Sequence, residues 1–426
     1  MIDPVDHLFR RESGRIAATV ARIFGVRNLA FAEDVVQEAF CRALEVWSFR
    51  GVPRNPAAWL MATAKNCALD VLRRERTARS FAALGDALQS EWTLAPALEE
   101  LFEPQAIRDD LLRMMFSCCH PRLHETAQVA LILHILCGFS VAEVASAFVS
   151  GHAAIEKRLT RAKKVLAKSP ALFDLSAPTD FSRRLPAVQR GLYLLFNEGY
   201  HGAAPDAAVH TDLCGEARRL AGVLLEHPFG ATPATFALAA LMSLNSARLP
   251  ARLDSAGNLV ALAGQDRSSW DQELVAEGLG LLELSASGTA ISAYHVEAAI
   301  ASVHATAART EDIDWRTIVS LYDQLMRMAP SPIVALNRAI AIAQADGPER
   351  GLAEVHAAVD GQRLSTYPFY PAALGEFELR LGRSAAAREH FRAARALTRN
   401  QMERHFIDQR LRACDGGGEL RAGSER

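Results

Sequence analysis

The sequence predicts an all-α protein, and three observations carry that prediction. Apolar residues recur at i, i+3, i+4 and i+7, the period of a helix buried on one face. Helix start signals sit where such segments begin: Ser140 with Glu143 three residues on, and Asn55 followed by Pro56. Beyond residue 171 the chain is rich in Ala and Leu with few β-branched runs, and Gly or Pro breaks it every ~15–20 residues, as short antiparallel helix pairs require. The 426 residues allow two to four domains, and half of them are hydrophobic, enough for a core in each.

Residues 8–50 read as two helices. The second runs from near Ala32 to Trp47, with Val35, Val36, Ala39, Phe40, Ala43, Leu44 and Trp47 as its buried stripe. Asp34, Gln37, Glu38 and Arg42 fall on another face, either simply solvated or a docking surface for a basic or polar helix pair. Arg50–Pro56 is a turn. The helix after it carries Trp59, Thr63, Asn66, Asp70 and Arg73 on one face and Leu60, Ala64, Cys67 and Val71 on the next; Arg73, Arg74, Arg76 and Arg79 add positive charge. An aromatic ring can stack on an unpaired base while arginines follow the backbone, which suits single-stranded DNA. The alternative is that Trp59 is core and Asp70 pairs with Arg73 or Arg74. Residues 81–108 read as a linker with one short helix. Asp109–Cys119 and Glu125–Leu136 read as apolar helices separated at Pro121.

The stretch 138–168 reads as a helix, a tight turn and a second helix. Ser140 and Glu143 form a capping box, and Val141, Val144, Ala145 and Phe148 make the first buried face. Ser150 and Gly151 break the helix. Ile155, Leu159, Ala162 and Leu166 then bury the second one, leaving Lys157, Arg158, Arg161, Lys163, Lys164 and Lys168 projecting outward with no acid between them. Six cations on one helix repel one another unless an anion lies alongside, and DNA phosphates supply it. The arrangement fits a helix-turn-helix whose second helix enters the major groove, its N-terminal residues reaching base edges. The plainer reading is a solvated basic helix end.

Ser169-Pro170 and Ser176-Ala-Pro-Thr mark a join to the C-terminal half. There Leu374-Gly375, Gly382, Ala387, Phe391 and Ala394 fall at the offsets of a tetratricopeptide unit, and Ile333–Ala345 with Gly351–Val359 forms a looser pair about one repeat upstream. Leu195-Phe-Asn-Glu-Gly-Tyr-His-Gly202 reads as a helix capped at Gly199 with polar groups tying down the loop. As an acid/base pair, Glu198 and His201 would have neither nucleophile nor phosphate loop beside them. Asp415–Arg426 reads as a disordered tail.

Charge and cysteines bound the rest. Residues 1–170 hold 22 Lys+Arg against 19 Asp+Glu, and the remainder 25 against 30, so an anionic partner belongs to the front half. Seven cysteines lack a CxxC pair, and Cys118-Cys119-His120 cannot chelate one tetrahedral ion well, so they are expected as buried small residues, with no metal and no cofactor. No apolar run reaches the ~18 residues of a membrane span, and no signal peptide is evident; a cytoplasmic protein with reduced thiols is expected.

Three segments carry a family resemblance: Ala32-Glu-Asp-Val-Val-Gln-Glu-Ala-Phe, Ala58-Trp-Leu-Met-Ala-Thr-Ala-Lys-Asn-Cys-Ala-Leu-Asp-Val-Leu-Arg-Arg, and Arg158-Leu-Thr-Arg-Ala-Lys. Together, and in this order, they resemble conserved regions 2 and 4 of sigma-70-type factors, the extracytoplasmic-function group in particular. Phe196-Asn-Glu-Gly-Tyr, Asp314-Trp315 with Leu321-Tyr-Asp, and Pro330-Ser-Pro-Ile-Val-Ala-Leu-Asn-Arg-Ala resemble the tetratricopeptide-like extension of one such group. The resemblance implies a region 2 helical bundle (1–80), a linker (81–108), a region 4 helix-turn-helix (109–170), a helical-repeat extension (171–414) and a tail (415–426). It implies a non-enzymatic sigma factor that directs RNA polymerase core enzyme to promoter DNA, the extension regulating or supporting that activity and leaving room for a protein or peptide partner.

The resemblance also assigns residues. Asp34, Gln37 and Glu38 match the surface for the polymerase clamp helices. Trp59, Asn66, Asp70, Arg73 and Arg74 match the face that melts and reads the minus-ten element. On the minus-thirty-five helix the candidates are His152, Glu156, Lys157, Arg158, Arg161 and Lys164; Glu156 departs from the basic residue common there, and could accept from a cytosine amino group or weaken phosphate contact. Two rivals stand beside this reading: a helix-turn-helix regulator with a repeat sensor domain that binds duplex DNA without core polymerase, and an enzyme built around Glu198 and His201.

Overall fold

The computed structural model describes residues 4–24, 29–82, 104–148, 150–168, 178–200, 209, 211–254, 258–398 and 401–416. Among them the regular elements are helices, and the only strand-like pairing is an isolated bridge between Leu253 and Leu259. The all-α expectation holds. Packing divides the chain into two compact units: Met1–Phe196 with Gly215–Gly230, and Asn197–Cys214 with Ala231–Arg426.

The first unit opens with α1 (Pro4–Phe24), α2 (Leu29–Arg50) and α3 (Pro56–Ala82). Helix α2 buries Val35, Val36, Ala39, Phe40, Ala43 and Trp47 as expected, but Leu44 is 53% exposed. It follows Ala43 in sequence and so lies about 100° further round, off the stripe. Asn55 caps α3 by accepting from the Ala58 N–H at 3.1 Å. Then come α4 (Pro104–Cys118), α5 (Glu125–Leu131), a π-helical turn (Ile132–Leu136), α6 (Val141–Ala147), α7 (His152–Ala167), α8 (Pro178–Tyr200) and α9 (Thr211–Glu226). The sequence reading of one helix over Glu125–Leu136 is corrected: its last turn widens to a π-turn, and local periodicity carries no signal for that. The expected linker 81–108 is helical through Ala82 and again from Pro104; residues 83–103 lie outside the described residues, as do Ser169-Pro170 and positions 176–177 of the join.

Packing of α1 against the π-turn is close. A Cβ on Gly14 would stand 2.0 Å from the Leu136 carbonyl oxygen, so only glycine admits this contact. Helix α8 packs into the same unit: the Phe181 ring lies 4.1 Å from that of Phe116, and a Cβ on Gly191 would meet Ile132 Cδ1 at 2.5 Å. The compact unit therefore continues past the Ser169-Pro170 join.

The second unit holds α10 (Pro233–Ser246), α11 (Gln272–Ser285), α12 (Ala293–Thr306), α13 (Trp315–Met328), α14 (Pro332–Asp346), α15 (Pro348–Ala358), α16 (Phe369–Arg380), α17 (Ser384–Leu397) and α18 (Gln401–Gly416). Helix pairs follow one another as expected. Gly347 (φ 98°) turns α14 into α15, and Gly382 (φ 74°) turns α16 into α17. Phe391, Ala387 and Ala394 are buried between α16 and its neighbours, and a Cβ on Gly375 would stand 2.9 Å from the Phe391 ring. Two readings change here. Helix α8 runs through Gly199 to Tyr200, so Gly199 is not its cap; His201 and Gly202 lie outside the described residues. Asp415 and Gly416 belong to α18, and Asp415 pairs with Arg388 at 2.6 Å; only 417–426 of the expected tail lie outside the described residues.

Candidate nucleic-acid interface

Helices α6 and α7 form the helix-turn-helix. The capping box is made: Ser140 N–H donates to Glu143 Oε2 at 2.8 Å, and Glu143 N–H donates to Ser140 Oγ at 3.2 Å. Gly138 (φ 66°) supplies the turn out of the π-helix. In α7, Ile155, Leu159, Ala162 and Leu166 are all buried. His152, Glu156, Lys157, Arg161, Lys164 and Lys168 are exposed, while Arg158 is half-buried over the Phe148 ring at 5.7 Å.

Lys163 is the exception. It was expected to project outward with the other cations, but its ammonium lies 2.6 Å from Glu33 on α2, and His134 of the π-turn lies 3.5 Å from the same carboxylate. His134 also hydrogen-bonds the Phe139 carbonyl at 2.7 Å. Burial pushes the His134 pKa down, the Phe139 contact and Glu33 opposing and Lys163 adding. This cluster ties the first helices to the helix-turn-helix within one unit.

Beside the outer face of α7 lies a cleft of about 370 Å³. Its cationic wall is Arg122, Lys157, Arg158 and Arg161, with His124 beside them, over a floor that includes Leu123, Ala127 and Ala162. Arg122 and His124 were not singled out from sequence. Their signal was slight: a Pro121-Arg-Leu-His turn ahead of the α5 N-terminus, where His124 caps the helix by accepting from the Thr126 N–H. Positive charge from a turn and from α7 thus converges where one anionic backbone could run.

On α2, Asp34, Gln37 and Glu38 are exposed in one row, and Glu38 pairs with Arg42 at 2.8 Å. Both partners are near half exposed, so the pair adds little stability and leaves the row open to a partner. On α3, Asn66 and Asp70 are exposed. Trp59 is half-buried, its ring edge-on to Trp47 at 5.3 Å, so it is partly core and partly surface. Thr63 donates back to the Trp59 carbonyl at 2.9 Å. Arg73 and Arg74 lie on the same continuous helix, but their side chains are outside the described residues.

Cys118, Cys119 and Cys137 are buried free thiols, and burial pushes all three up, Cys118 to about 12. Such thiols are inert packing groups. Among the described residues no helix is long and apolar enough to cross a membrane.

A helical N-terminal segment followed by a capped helix-turn-helix with a cation-bearing second helix is an arrangement that DNA-binding proteins use. Residues 8–78 match the family described as Sigma-70 region 2, and residues 184–286 match a family of unknown function, DUF6596. The chain is 40% identical over 402 residues to an uncharacterized protein of Rhizobium meliloti (strain 1021), covering 94% of this chain and 93% of that protein. It is 30% identical over 142 residues to RNA polymerase sigma factor CarQ of Myxococcus xanthus, covering 33% of this chain and 75% of that one. No solved structure matches. The chain belongs to the sigma-70 family, non-enzymatic factors of transcription initiation whose partners are RNA polymerase core and promoter DNA.

Proposed function

We propose that the protein is a sigma factor of the extracytoplasmic-function type, acting in the cytoplasm, with a tetratricopeptide-like extension on which its activity depends. Region 2 spans residues 1–80, region 4 spans 109–170, and the helices from 171 to 414 form the extension. Asp34, Gln37 and Glu38 dock on the polymerase clamp helices. Trp59, Asn66, Asp70, Arg73 and Arg74 hold the melted minus-ten strand, Trp59 as the ring on which a flipped base stacks. His152, Glu156, Lys157, Arg158, Arg161 and Lys164, joined by Arg122 and His124, take the minus-thirty-five duplex. Arg158, held over Phe148, and the cleft cations position the backbone, while the N-terminal residues of α7 reach base edges.

One observation supports this reading above the others: Ile155, Leu159, Ala162 and Leu166 bury one face of α7, while His152, Glu156, Lys157, Arg161 and Lys164 face solvent along the same helix. The test is multi-round transcription by core RNA polymerase on the promoter of the protein's own operon, with the full-length chain. The wild type is expected to initiate. Lys157→Ala with Arg161→Ala is expected to retain core binding and lose promoter affinity, and Asp34→Ala with Glu38→Ala the reverse. A full-length chain that does not bind core polymerase sinks the proposal.

A further inference from the structure

The second unit contains a group of arginines that form no ion pair with any carboxylate among the described residues. The segment between α10 and α11 folds back on itself through the Leu253–Leu259 bridge and three short 3₁₀ turns. It sets Arg248 and Arg267 over Trp270, with Arg252 near Arg248. The guanidinium of Arg267 lies 4.6 Å from the centre of the Trp270 ring and that of Arg248 5.4 Å from it, while Arg252 lies 3.9 Å over the Tyr200 ring. Tyr200 ends the Phe196-Asn-Glu-Gly-Tyr motif, a stretch that the sigma role leaves without a task.

The nearby acids are committed elsewhere. Asp254 bonds Asn258, Asp266 bonds Ser268 and Ser269, Asp271 caps α11 at Leu274, and Asp312 pairs with Arg309. Glu311 and Asp312 attract Arg267 without forming an ion pair with it. Among the described residues no carboxylate pairs with any of the three arginines; Arg248 has only Gln265 Oε1 at 3.4 Å, and Arg267 only the carbonyls of His304 and Ala307 at 2.6 and 2.9 Å. Four buried polar atoms at the same place have no hydrogen-bond partner: Arg267 Nε and Nη2, Trp270 Nε1 and His304 Nδ1. Orphaned buried donors beside half-buried cations that have no ion-pair partner are costly unless an anion completes them.

We propose that Arg248, Arg252 and Arg267, with Trp270 and His304, form a binding site for the phosphoryl group of a small molecule. Guanidinium forks match phosphate oxygens, and a dianion balances more of this charge than a carboxylate can. The electrostatics agree: burial pushes the Arg248 pKa down, with Arg252 and Arg267 adding and Tyr200 opposing. Burial, then Arg248 and Arg267, lowers His304 to about 4, so its ring is neutral and can donate or accept through Nδ1. The site makes the extension a receptor for a phosphorylated metabolite or for phosphate itself, whatever the N-terminal half does.

The experiment is calorimetric titration of the full-length protein with inorganic phosphate, phenyl phosphate and acetate at fixed ionic strength. Both phosphates are expected to bind saturably and acetate at least about tenfold more weakly, the equivalent of about 1.4 kcal/mol. Phenyl phosphate binding more tightly than inorganic phosphate points to a phosphomonoester; equal affinity points to the bare anion. Arg248→Gln and Arg252→Gln should each weaken phosphate by about tenfold, the loss of one charge-assisted contact. As a check that needs no variant, the His304 ring should titrate at higher pH with phosphate present, because an adjacent dianion favours the imidazolium. Acetate binding as well as phosphate, both variants within about twofold of wild type, or a His304 titration that phosphate leaves in place each overturns the proposal.

Discussion

Substituting Gly14 by alanine tests whether the helices of region 2 and the approach to the helix-turn-helix are locked together. In an ordinary helix interior this change stabilises, by about 0.5–1 kcal/mol, because alanine has the higher helix propensity. Here the new Cβ would stand 2.0 Å from the Leu136 carbonyl oxygen and 2.7 Å from Leu136 Cα, both backbone atoms that no rotamer change can move. Ordinary contact begins at 3.4 Å, so α1 and the π-turn must part by about 1.4 Å. Ile16, Ala17, Ala18 and Val20 on α1 are almost fully buried, and parting loosens their packing too. Overpacking of this kind costs about 1–3 kcal/mol, which exceeds the propensity gain by up to about 2.5 kcal/mol. For a unit of this size that lowers Tm by up to about 10 °C. Gly222→Ala is the internal control: it lies in α9 with nothing within 4 Å of its Cβ, so it should stabilise. Thermal or urea unfolding of both variants decides it. Gly14→Ala as stable as Gly222→Ala would refute the close packing of α1 on the π-turn.

Three further outcomes are expected. A double-mutant cycle between Glu33→Ala and Lys163→Ala should give a coupling of about 0.5–1 kcal/mol, since the pair is about one quarter exposed at each end; a coupling near zero would remove the pair as a tie between region 2 and the helix-turn-helix. His304, lowered from 6.5 to about 4, holds fewer protons folded than unfolded. Its contribution to stability is therefore complete above pH ~6.5 and declines by about 3 kcal/mol as pH falls to ~4. Replacing it with glutamine should flatten that limb of the pH–stability curve, and an unchanged curve counts against the burial. Arg161→Ala should weaken promoter binding and reduce the slope of log K against log salt by about one if it contacts one phosphate; an unchanged slope takes Arg161 out of the interface.

What the sequence makes legible here is what local periodicity encodes. The buried face of α7 was readable because Ile155, Leu159, Ala162 and Leu166 satisfy one 3.6-residue period, and the capping box because both of its partners lie within four residues. Features set by distant partners were not legible. Lys163 looks like its neighbours Arg161 and Lys164, and only Glu33, 130 residues away, distinguishes it. Leu44 is apolar and fits the edge of the α2 stripe, yet among the described residues it stands 53% exposed. The run Ile-Leu-His-Ile-Leu gives no local sign of the π-turn at Ile132–Leu136, nor of the close approach of Gly14 to Leu136. The arginine cluster of the second unit draws on residues between Tyr200 and His304, each unremarkable in its own stretch of sequence.

These non-local contacts change how the extension should be studied. A truncation after Lys168 follows the break in the sequence pattern but cuts through a packed unit. It would strip Phe181 from Phe116, which is 0% exposed, and Gly191 from Ile132, uncovering an apolar surface on the helices that lead into the helix-turn-helix. Such a fragment is expected to lose solubility or stability, so a failure to support transcription would say nothing about regulation. No single cut is clean, because the chain runs from the first unit into the second at Asn197, returns at Gly215 and leaves again at Ala231. Point substitutions in the second unit avoid this difficulty. Arg252→Gln, far in sequence from every residue assigned to promoter or polymerase, alters the extension while leaving the first unit whole. If that variant changes transcription without changing core binding or the urea midpoint, the extension acts on initiation through its own chemistry; if transcription is unaffected at every phosphate concentration, the arginine cluster has no part in control.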